Sequence, residues 1–383
     1  MNKFLKNLLR TLSYILVAAI ASCATLVVSR QTESYSKLEQ LKSLLVQRYI
    51  NGADASVLED AAADAMVGAL GDRWSYYISA DEYAEYVQQK KNAYVGIGVT
   101  ITATETGYSI QKVTEGGPAE EVGILAGDII VAVDGTSVAG MPIDEGKTLV
   151  QGKEGTTVQI TVDRAGESIT FRVERRTVHT KVATAKMLDG NIGLVTIENF
   201  NTNCYSESKA AVEQLMEQGA VALIFDVRYN GGGYADEMVK LLNFLLPEGD
   251  LFRTLDYQGK EDVKTSDASC VELPMAVLVN GSSYSAAEFF AAALWEYEWA
   301  IVVGEATSGK GHFQVTYELG DGSAIGLSIG KYFTPKGQCL EGAGLTPEVY
   351  VEVDEATAAA IYAGTLDPME DPQILAAIAA LTK

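Results

Sequence analysis

The stretch Pro274-Met-Ala-Val-Leu-Val279-Asn280-Gly-Ser-Ser-Tyr-Ser285-Ala-Ala-Glu288 decides the fold of the central part of this chain. It begins with an apolar run suited to a buried strand, continues with an Asn-Gly turn signal, and ends in an alanine-rich region with helical apolar spacing over residues 286–297. The sequence therefore predicts a strand, a tight turn and a helix, with Ser285 at the helix start. Ser285 and Glu288 also match a capping-box pattern, so Ser285 can be explained as a helix N-cap without any chemical role.

A serine hydroxyl at a helix start is held rigidly, and the neighbouring backbone N–H groups can receive a developing negative charge. The chain has two histidines, His179 and His312, and His179 has no acidic neighbour in sequence, which disfavours a Ser-His-Asp arrangement. A lysine that loses its charge on burial can take the hydroxyl proton instead. Lys310 is the candidate base, and on a strand Lys310, His312 and Gln314 would share one face, so that the Gln314 amide holds the amine.

The segment from Gly304 to Lys310 also copies most of a phosphate-binding P-loop. Gly311 stands where that loop needs a Ser or Thr for magnesium, and the residues that follow alternate as in a strand, which disfavours nucleotide binding. Another strand is predicted over residues 222–228, followed by Tyr229-Asn-Gly231-Gly232-Gly233 and a helix over 235–246. Glycines at such a junction let backbone N–H groups converge on an anion.

These segments, in order, closely resemble the carboxy-terminal processing peptidases, also called tail-specific proteases. The same family pattern continues in Ile192-Gly-Leu-Val-Thr-Ile-Glu-Asn-Phe200, Tyr332-Phe-Thr-Pro-Lys-Gly337 and Gly342-Ala-Gly-Leu-Thr-Pro347. In the family a serine precedes a glutamate by three residues and a lysine by 25, and a glutamine follows the lysine by four; residues 285, 288, 310 and 314 keep these intervals. The resemblance implies Ser285 as nucleophile, Lys310 as general base and Gln314 as the residue that orients it. It also implies oxyanion donors at the N–H groups of Ala286 and Gly232.

Two departures from the family pattern lie next to these residues. The family usually has Asn-Asn-Pro-Gly-Gly where this chain has Tyr229-Asn-Gly231-Gly-Gly, and Ser-Ala-Ser-Ala-Ser-Glu where it has Ser283-Tyr-Ser-Ala-Ala-Glu. Neither departure removes a catalytic group. The extra glycine would loosen the oxyanion pocket, and Tyr284 would alter the subsite beside the nucleophile.

Residues 93–177 have short alternating strands separated by glycine turns. The loop residues Gly96, Ile97, Gly98 and Val99 resemble the carboxylate-binding loop of a PDZ domain, and the resemblance continues through residue 177. Such a loop holds a terminal carboxylate with its N–H groups while the edge of the next strand pairs with the incoming peptide. The preceding residues 34–91 have helical spacing, broken at 51–52 and at 71–75, which predicts a small helical unit.

The amino terminus has three basic residues, Lys3, Lys6 and Arg10, before an uncharged run over residues 11–28. This pattern predicts a single-pass anchor in a bacterial cell membrane with the catalytic part outside. Cleavage of the leader near Ala21 and a lipoprotein processing box at Ile20-Ala-Ser-Cys23 are left open as alternatives. The net charge of −22 disfavours nucleic acid or an anionic membrane surface as a partner of the rest of the chain. The other cysteines have no metal-ligand spacing, and a disulfide between residues 270 and 339 stays open.

We therefore expect an α/β, multi-domain protein. The expected parts are a cytoplasmic stub and anchor over residues 1–30, a helical unit over 31–91, a β-rich PDZ domain over 92–177, a protease core over 178–353 and a helical tail over 354–383. The family resemblance likens the core to the crotonase-type arrangement.

The expected function is that of a membrane-tethered serine endopeptidase, which recognises the carboxy-terminal tails of proteins or peptides and cuts through an acyl-enzyme. The resemblance implies no metal and no cofactor, and a homo-oligomer is left open. Three alternatives remain: a non-catalytic PDZ scaffold, a crotonase-like acyl-thioester enzyme, for which no coenzyme A site is visible, and a nucleotide-binding P-loop protein.

Overall fold

The computed structural model describes residues 36–382, which divide into two units between Tyr77 and Ile78. Within the first unit, the described residues form helices α1 (Lys37–Arg48) and α2 (Ala55–Gly68). Both helices begin at a polar N-cap, because Ser36 and Asp54 accept backbone N–H groups of the first turn. The turn between them contains the Asn-Gly pair that was expected to break the helical pattern, and Gly52 has a φ of 73°.

The next part of the chain is mostly antiparallel sheet. Its elements are β1 (Tyr76–Ile78), α3 (Ala80–Lys90), β2 (Ala93–Gly96), β3 (Val99–Thr104), β4 (Gly107–Val113), α4 (Pro118–Glu121), β5 (Ile129–Val133), β6 (Thr136–Ser137), α5 (Ile143–Val150), β7 (Thr157–Arg164), β8 (Glu167–Glu174) and β9 (Arg176–His179). One sheet has the order β3-β4-β5-β7-β8, and β2 pairs separately with β9. Alternating residues of β7, namely Val158, Ile160 and Val162, are buried on one face of this sheet. Together with Ile130 and Val133 of β5 and Val173 of β8 they belong to a separate core.

The rest of the chain alternates strands and helices. Its elements are β10 (Ala183–Leu188), β11 (Ile192–Ile197), α6 (Cys204–Glu217), β12 (Ala222–Asp226), α7 (Ala235–Leu245), β13 (Gly249–Asp256), β14 (Glu261–Ser266), β15 (Met275–Val279), α8 (Ala286–Glu296), β16 (Ala300–Gly304), β17 (His312–Glu318), β18 (Ala324–Phe333), β19 (Val349–Tyr350), α9 (Glu355–Tyr362), a 3₁₀ turn (Pro368–Glu370) and α10 (Pro372–Leu381).

The central sheet of this part has the strand order β10-β11-β12-β15-β16-β19. All neighbours from β11 to β19 are parallel, and β10 is antiparallel to β11. Every residue of β12 and β15 is buried, which explains why both strands are continuous apolar runs and not alternating ones. Helices α6, α7 and α8 cover one face of the sheet and α10 packs against the other. The predicted α/β, multi-domain fold class is confirmed.

A second sheet of the same unit contains β14, β13, β18 and β17, each antiparallel to the next. The structure differs here from the sequence prediction, because β17 begins at His312 and its register shifts between Phe313 and Gln314. Lys310 therefore lies in a loop before the strand, and the shift interrupts the alternation that was expected to put Lys310 and Gln314 on one face.

One expectation about the chain needs correction, and one question left open by the sequence is answered. No helix between residues 36 and 382 has the length and apolar composition needed to cross a bilayer. The expected single-pass location in a bacterial cell membrane is therefore not supported, and the run over residues 11–28 on which it rested lies outside the described residues. Within the described chain, Cys204, Cys270 and Cys339 are free thiols, so the disulfide left open between residues 270 and 339 is not formed.

Candidate active site

The carboxyl ends of β12, β15 and β16 meet at one edge of the central sheet, since these strands are parallel neighbours. The loops that follow them cover residues 227–234, 280–285 and 305–311, and they contain the glycine-rich segment, Ser285 and Lys310. Ligands of open α/β sheets commonly bind at such an edge. The fold therefore brings the three segments singled out in the sequence to one place.

Ser285 is the N-cap of α8 and is 7% exposed. Its backbone has φ 60° and ψ −126°, a conformation that costs a non-glycine residue on the order of 1–3 kcal/mol. A strained serine between a strand and a helix is also how the nucleophile elbow of other hydrolases exposes its hydroxyl. Ser285 and Glu288 do form the capping box, so the N-cap explanation holds as well. Capping alone does not require the strained backbone.

Glu288 is fully buried in the first turn of α8 and joins the Ser285 turn to the Lys310 loop. One carboxylate oxygen, Oε2, accepts the backbone N–H groups of Ser285 and Lys310, both at 2.9 Å. The other oxygen, Oε1, accepts the Thr307 hydroxyl and the Gly309 N–H. Burial raises the pKa of Glu288, although these four donors act in the opposite direction. Sequence spacing suggested only a helix cap here, because three of the four donors lie about twenty residues further on.

Lys310 is half-buried, and its Nζ lies 5.8 Å from the centroid of the Tyr284 ring. The amine is therefore beside the residue that directly precedes Ser285. The Gln314 side chain donates from its Nε2 to the Ser328 hydroxyl (2.9 Å) and to the His312 carbonyl (3.2 Å). These two bonds determine how the amide of Gln314 is oriented.

The two expected oxyanion donors, Ala286 and Gly232, are close together. A Cβ atom built on Gly232 would lie 2.8 Å from the Cβ of Ser285 and 2.9 Å from the backbone nitrogen of Ala286. Only glycine leaves this space, and its φ of 83° is a second reason for glycine at this position. The Gly232 N–H, however, donates to the Asn230 Oδ1 at 2.8 Å. That bond would have to open or be shared before Gly232 could bind an oxyanion.

Two polar residues that the sequence reasoning missed hold these loops in place. Asn230 is fully buried, donates from its side chain to the Ile197 carbonyl (2.8 Å), and accepts the Tyr284 N–H with its own carbonyl (3.2 Å). The buried hydroxyl of Ser283 donates to the Val227 carbonyl (2.8 Å). Both residues lie in loops a few residues after an apolar strand, and this position could have identified them from sequence. A polar side chain that is buried there needs hydrogen-bond partners.

A buried ion network lies under the glycine-rich loop. Arg228 follows β12 and contacts Asp226 (2.6 Å) and Asp371 (2.8 Å), and the side chains of Arg228 and Asp371 are at most 4% exposed. Burial opposes the charge of Arg228, but the two carboxylates hold its pKa above the ordinary value. Asp371 is the N-cap of α10. The carboxy-terminal helix is thereby connected to the strand that positions the loop.

The predicted peptide-binding loop lies between β2 and β3. Ile97 is buried, its carbonyl accepts the Ala119 N–H, and the Gly98 carbonyl accepts the Thr114 N–H, each at 2.9 Å. Within the described sheet β3 pairs only with β4, so its other edge is available to a further strand. A groove of about 1340 Å³ runs along this edge and is lined by the loop, by β3 and by α5.

Comparison with known proteins agrees with this architecture. A family model for peptidase family S41 matches residues 191–351, and one for the PDZ domain matches residues 95–174. A protein from Staphylococcus epidermidis described as a CtpA-like serine protease is 32% identical over 88% of this chain and 71% of its own length. A relative from Staphylococcus haemolyticus with the same description is 33% identical over 88% of this chain and 70% of its own length.

Two solved structures of peptidases are also similar to this chain. A Bacteroides fragilis protein described as an S41 protease has a TM-score of 0.56 at 16% identity, covers 83% of this chain and 90% of its own, and is similar in fold. A photosystem II D1 C-terminal processing protease is 28% identical to this chain, with a TM-score of 0.48; the match covers 84% of this chain and 87% of that protein.

The fold and the two family matches define a PDZ-containing serine peptidase. The chain belongs to peptidase family S41, among the CtpA-like serine proteases. This membership confirms the expected family and enzyme class, and it excludes the scaffold, acyl-thioester and P-loop alternatives as descriptions of the chain.

Proposed function

We propose that the chain cuts peptide bonds near the carboxy termini of its substrates through Ser285 and Lys310. The observation that carries the proposal is the strained Ser285 at the head of α8, joined through Glu288 to the loop that holds Lys310. Gln314 keeps the role of orienting Lys310 that the family resemblance implies, and not one that follows from strand alternation. Its Nε2 donates to Ser328 and His312, which leaves its amide oxygen as the group that would accept from the Lys310 amine.

The reaction then follows from the chemistry of these groups. The neutral Lys310 amine takes the hydroxyl proton while the Ser285 Oγ bonds to the carbonyl carbon of the substrate. The negative charge that develops on the carbonyl oxygen is received by the N–H groups of Ala286 and Gly232. The Lys310 ammonium gives its proton to the departing amide nitrogen, the C–N bond breaks, and an ester to Ser285 remains. Water, deprotonated by the same amine, hydrolyses this ester and restores the hydroxyl.

The groove beside β3 would select the substrates. N–H groups in the loop Gly96, Ile97, Gly98 and Val99 would bind the terminal carboxylate, and the edge of β3 would pair with the preceding residues. The division at residues 91, 177 and 353 into a helical unit, a PDZ domain, a protease core and a helical tail stays a prediction that accompanies this function. The structure divides earlier, after Tyr77, and assigns α3 to the second unit.

The decisive experiment compares Ser285→Ala and Lys310→Ala with the parent on a peptide that ends in an apolar residue. Each substitution should lower kcat by a factor on the order of 10⁴ or more and leave the binding of the peptide unchanged. Ser282→Ala and Lys331→Ala are matched controls, because both side chains belong to exposed residues and have no role in the proposal. Cleavage by either catalytic variant at the parent rate would refute the assignment.

The recognition step has a separate experiment. Amidating the carboxy terminus of the same peptide should weaken its binding in a titration, because the loop N–H groups lose the charge that they are proposed to hold. Equal affinity for the free and the amidated peptide would remove the role of the loop without affecting the catalytic assignment.

A further inference from the structure

Tyr284 and Gly231, the two residues that depart from the family pattern beside the candidate site, contact each other in the structure. A Cβ atom built on Gly231 would lie 2.6 Å from the Tyr284 Oη and 2.8 Å from its Cζ. The backbone of Gly231 is not in the left-handed region, so an alanine there would meet no backbone strain. The aromatic ring is therefore the neighbour that a side chain at residue 231 would have to displace.

The same ring also lies close to the candidate catalytic residues. Tyr284 directly precedes Ser285, and the ring centroid lies 5.8 Å from the Lys310 Nζ, within the range of a cation–π contact. The ring is half-buried, so part of it faces solvent at this edge of the sheet. The ring is therefore in contact with both the glycine-rich loop and the Lys310 amine.

The side of the cut on which the ring lies follows from the chemistry. A base that takes the proton of Ser285 also returns it to the departing amide nitrogen, so the Lys310 amine must be next to the departing part of the substrate. A ring against that amine is therefore adjacent to the first substrate residue after the cut. A residue with a large side chain at that position would have to displace the ring, which already contacts the glycine-rich loop at Gly231.

We propose that Tyr284 is a specificity-determining residue which restricts the first substrate residue after the cut to small side chains, and that Gly231 is glycine in order to accommodate this ring. The proposal rests on the proposed function of Ser285 and Lys310. In this proposal the aromatic ring of Tyr284, and not its hydroxyl, limits the size of the substrate residue. Tyr284→Phe keeps the ring and Tyr284→Ala removes it, so the two variants separate the effects of the ring and the hydroxyl.

The experiment uses the full chain and a synthetic peptide with an apolar carboxy terminus whose cleavage position has been mapped by mass spectrometry. The peptide is made with alanine, leucine or phenylalanine directly after the cut, and kcat/KM is measured for each form. Tyr284→Ala should raise the ratio of the phenylalanine to the alanine peptide by about tenfold or more, which is the usual effect of opening or closing an apolar pocket. Tyr284→Phe should keep the ratio of the parent.

A double-mutant cycle tests the contact itself. Gly231→Ala pushes the ring in the parent, and the atoms nearest to its methyl group are gone when Tyr284 is alanine. It should therefore lower kcat/KM about tenfold in the first background and less than about threefold in the second. Equal effects in both backgrounds would overturn the proposal, as would an unchanged peptide ratio in Tyr284→Ala.

Two further measurements keep the outcome clear. If Tyr284→Ala cuts none of the peptides, Tyr284→Leu is measured in the same way. Loss of all cleavage in both variants, with an unaltered thermal unfolding midpoint, would overturn the proposal. A residue that only limits the size of the substrate side chain can be removed without preventing the cleavage of peptides with a small residue there. Ser285→Ala distinguishes this failure from failure of the proposed function: if Ser285→Ala still cuts, the nucleophile is elsewhere whatever the peptide ratios are.

Discussion

Replacing Glu288 by glutamine should separate the two loops that carry the candidate nucleophile and base. Each carboxylate oxygen of Glu288 accepts two donors, and the pair on Oε2 are the N–H groups of Ser285 and Lys310. A glutamine offers one oxygen and one NH₂ group. With its NH₂ group towards Ser285 and Lys310 the amide faces two N–H donors, and two hydrogen bonds are lost. Turned the other way, the NH₂ group meets the Gly309 N–H and the Thr307 hydroxyl, which can rotate to accept it, so this orientation is favoured and one hydrogen bond is lost.

The magnitude follows from this count. A buried donor without a partner costs about 1–3 kcal/mol, so Glu288→Gln in the favoured orientation should lower the free energy of unfolding by about that amount. The donor left without a partner is the N–H of Gly309, which directly precedes Lys310. A displacement of about 1 Å between reacting groups costs on the order of 10²-fold in rate, and we expect a loss of that size in kcat with little change in KM.

Glu296→Gln is the matched control, because Glu296 is a buried glutamate at the other end of the same helix. Its carboxylate accepts the Thr334 hydroxyl (2.7 Å) and the Lys336 N–H (2.6 Å). Both variants should unfold at lower urea concentration, but only Glu288→Gln should lose kcat when both are measured well below their unfolding transitions. A kcat of Glu288→Gln within about threefold of the parent, or an equal loss in Glu296→Gln, would refute the reasoning.

Three further predictions concern stability and reactivity. Ser285→Gly removes backbone strain that Ser285→Ala retains, so urea unfolding should find the glycine variant more stable by about 1–2 kcal/mol, and a less stable glycine variant would contradict the strain. The side-chain hydrogen bonds from Arg164 lower the pKa of Asp128 in the folded protein. The ion pair therefore stabilises the folded state fully above the ordinary aspartate pKa of about 3.9, and this contribution to the free energy of unfolding is lost as the pH falls through the lowered pKa. Asp128→Asn should therefore flatten the acid side of the stability profile between about pH 5 and pH 2, and an unchanged slope would argue against the pair. Burial raises the pKa of Cys204 to about 12, so peptide mapping after alkylation near pH 8 should find Cys339 labelled before Cys204, and equal labelling rates would show that Cys204 is accessible.

The local elements of the site could be predicted from sequence because their signals are local. The apolar run before residue 280, the Asn-Gly turn and the alanine-rich helix lie within about twenty residues, and the observed strand and helix, Met275–Val279 and Ala286–Glu296, follow them closely. The glycine-rich loop after β12 was predicted for the same reason. That both loops meet at one edge of a sheet follows once the strands are known to be parallel neighbours.

The contacts that connect these elements could not be predicted, because they depend on residues far apart in the chain. The spacing of Ser285 and Glu288 indicates a capping box, but only the folded chain brings Thr307 and Gly309 to the same carboxylate. The register shift before Gln314 has no counterpart in the alternation of the sequence. The leader is a different case, because its prediction concerned residues outside the described part of the chain.

The carboxy-terminal helices take on a role here that their sequence did not indicate. Tyr229 has a φ of 60°, a conformation that a bulky residue adopts only when its surroundings enforce it, and its hydroxyl donates to the carbonyl of Ala358 in α9 at 3.0 Å. Asp371, the N-cap of α10, contacts Arg228, the residue before Tyr229, from a later part of the same tail. The strain at Tyr229 must be offset by such contacts, since the glycines that follow it cannot stabilise a single backbone conformation. The position of the proposed oxyanion loop therefore depends on a tail that comes more than one hundred residues later, and the tail is part of the site in an energetic sense although it touches no reacting atom.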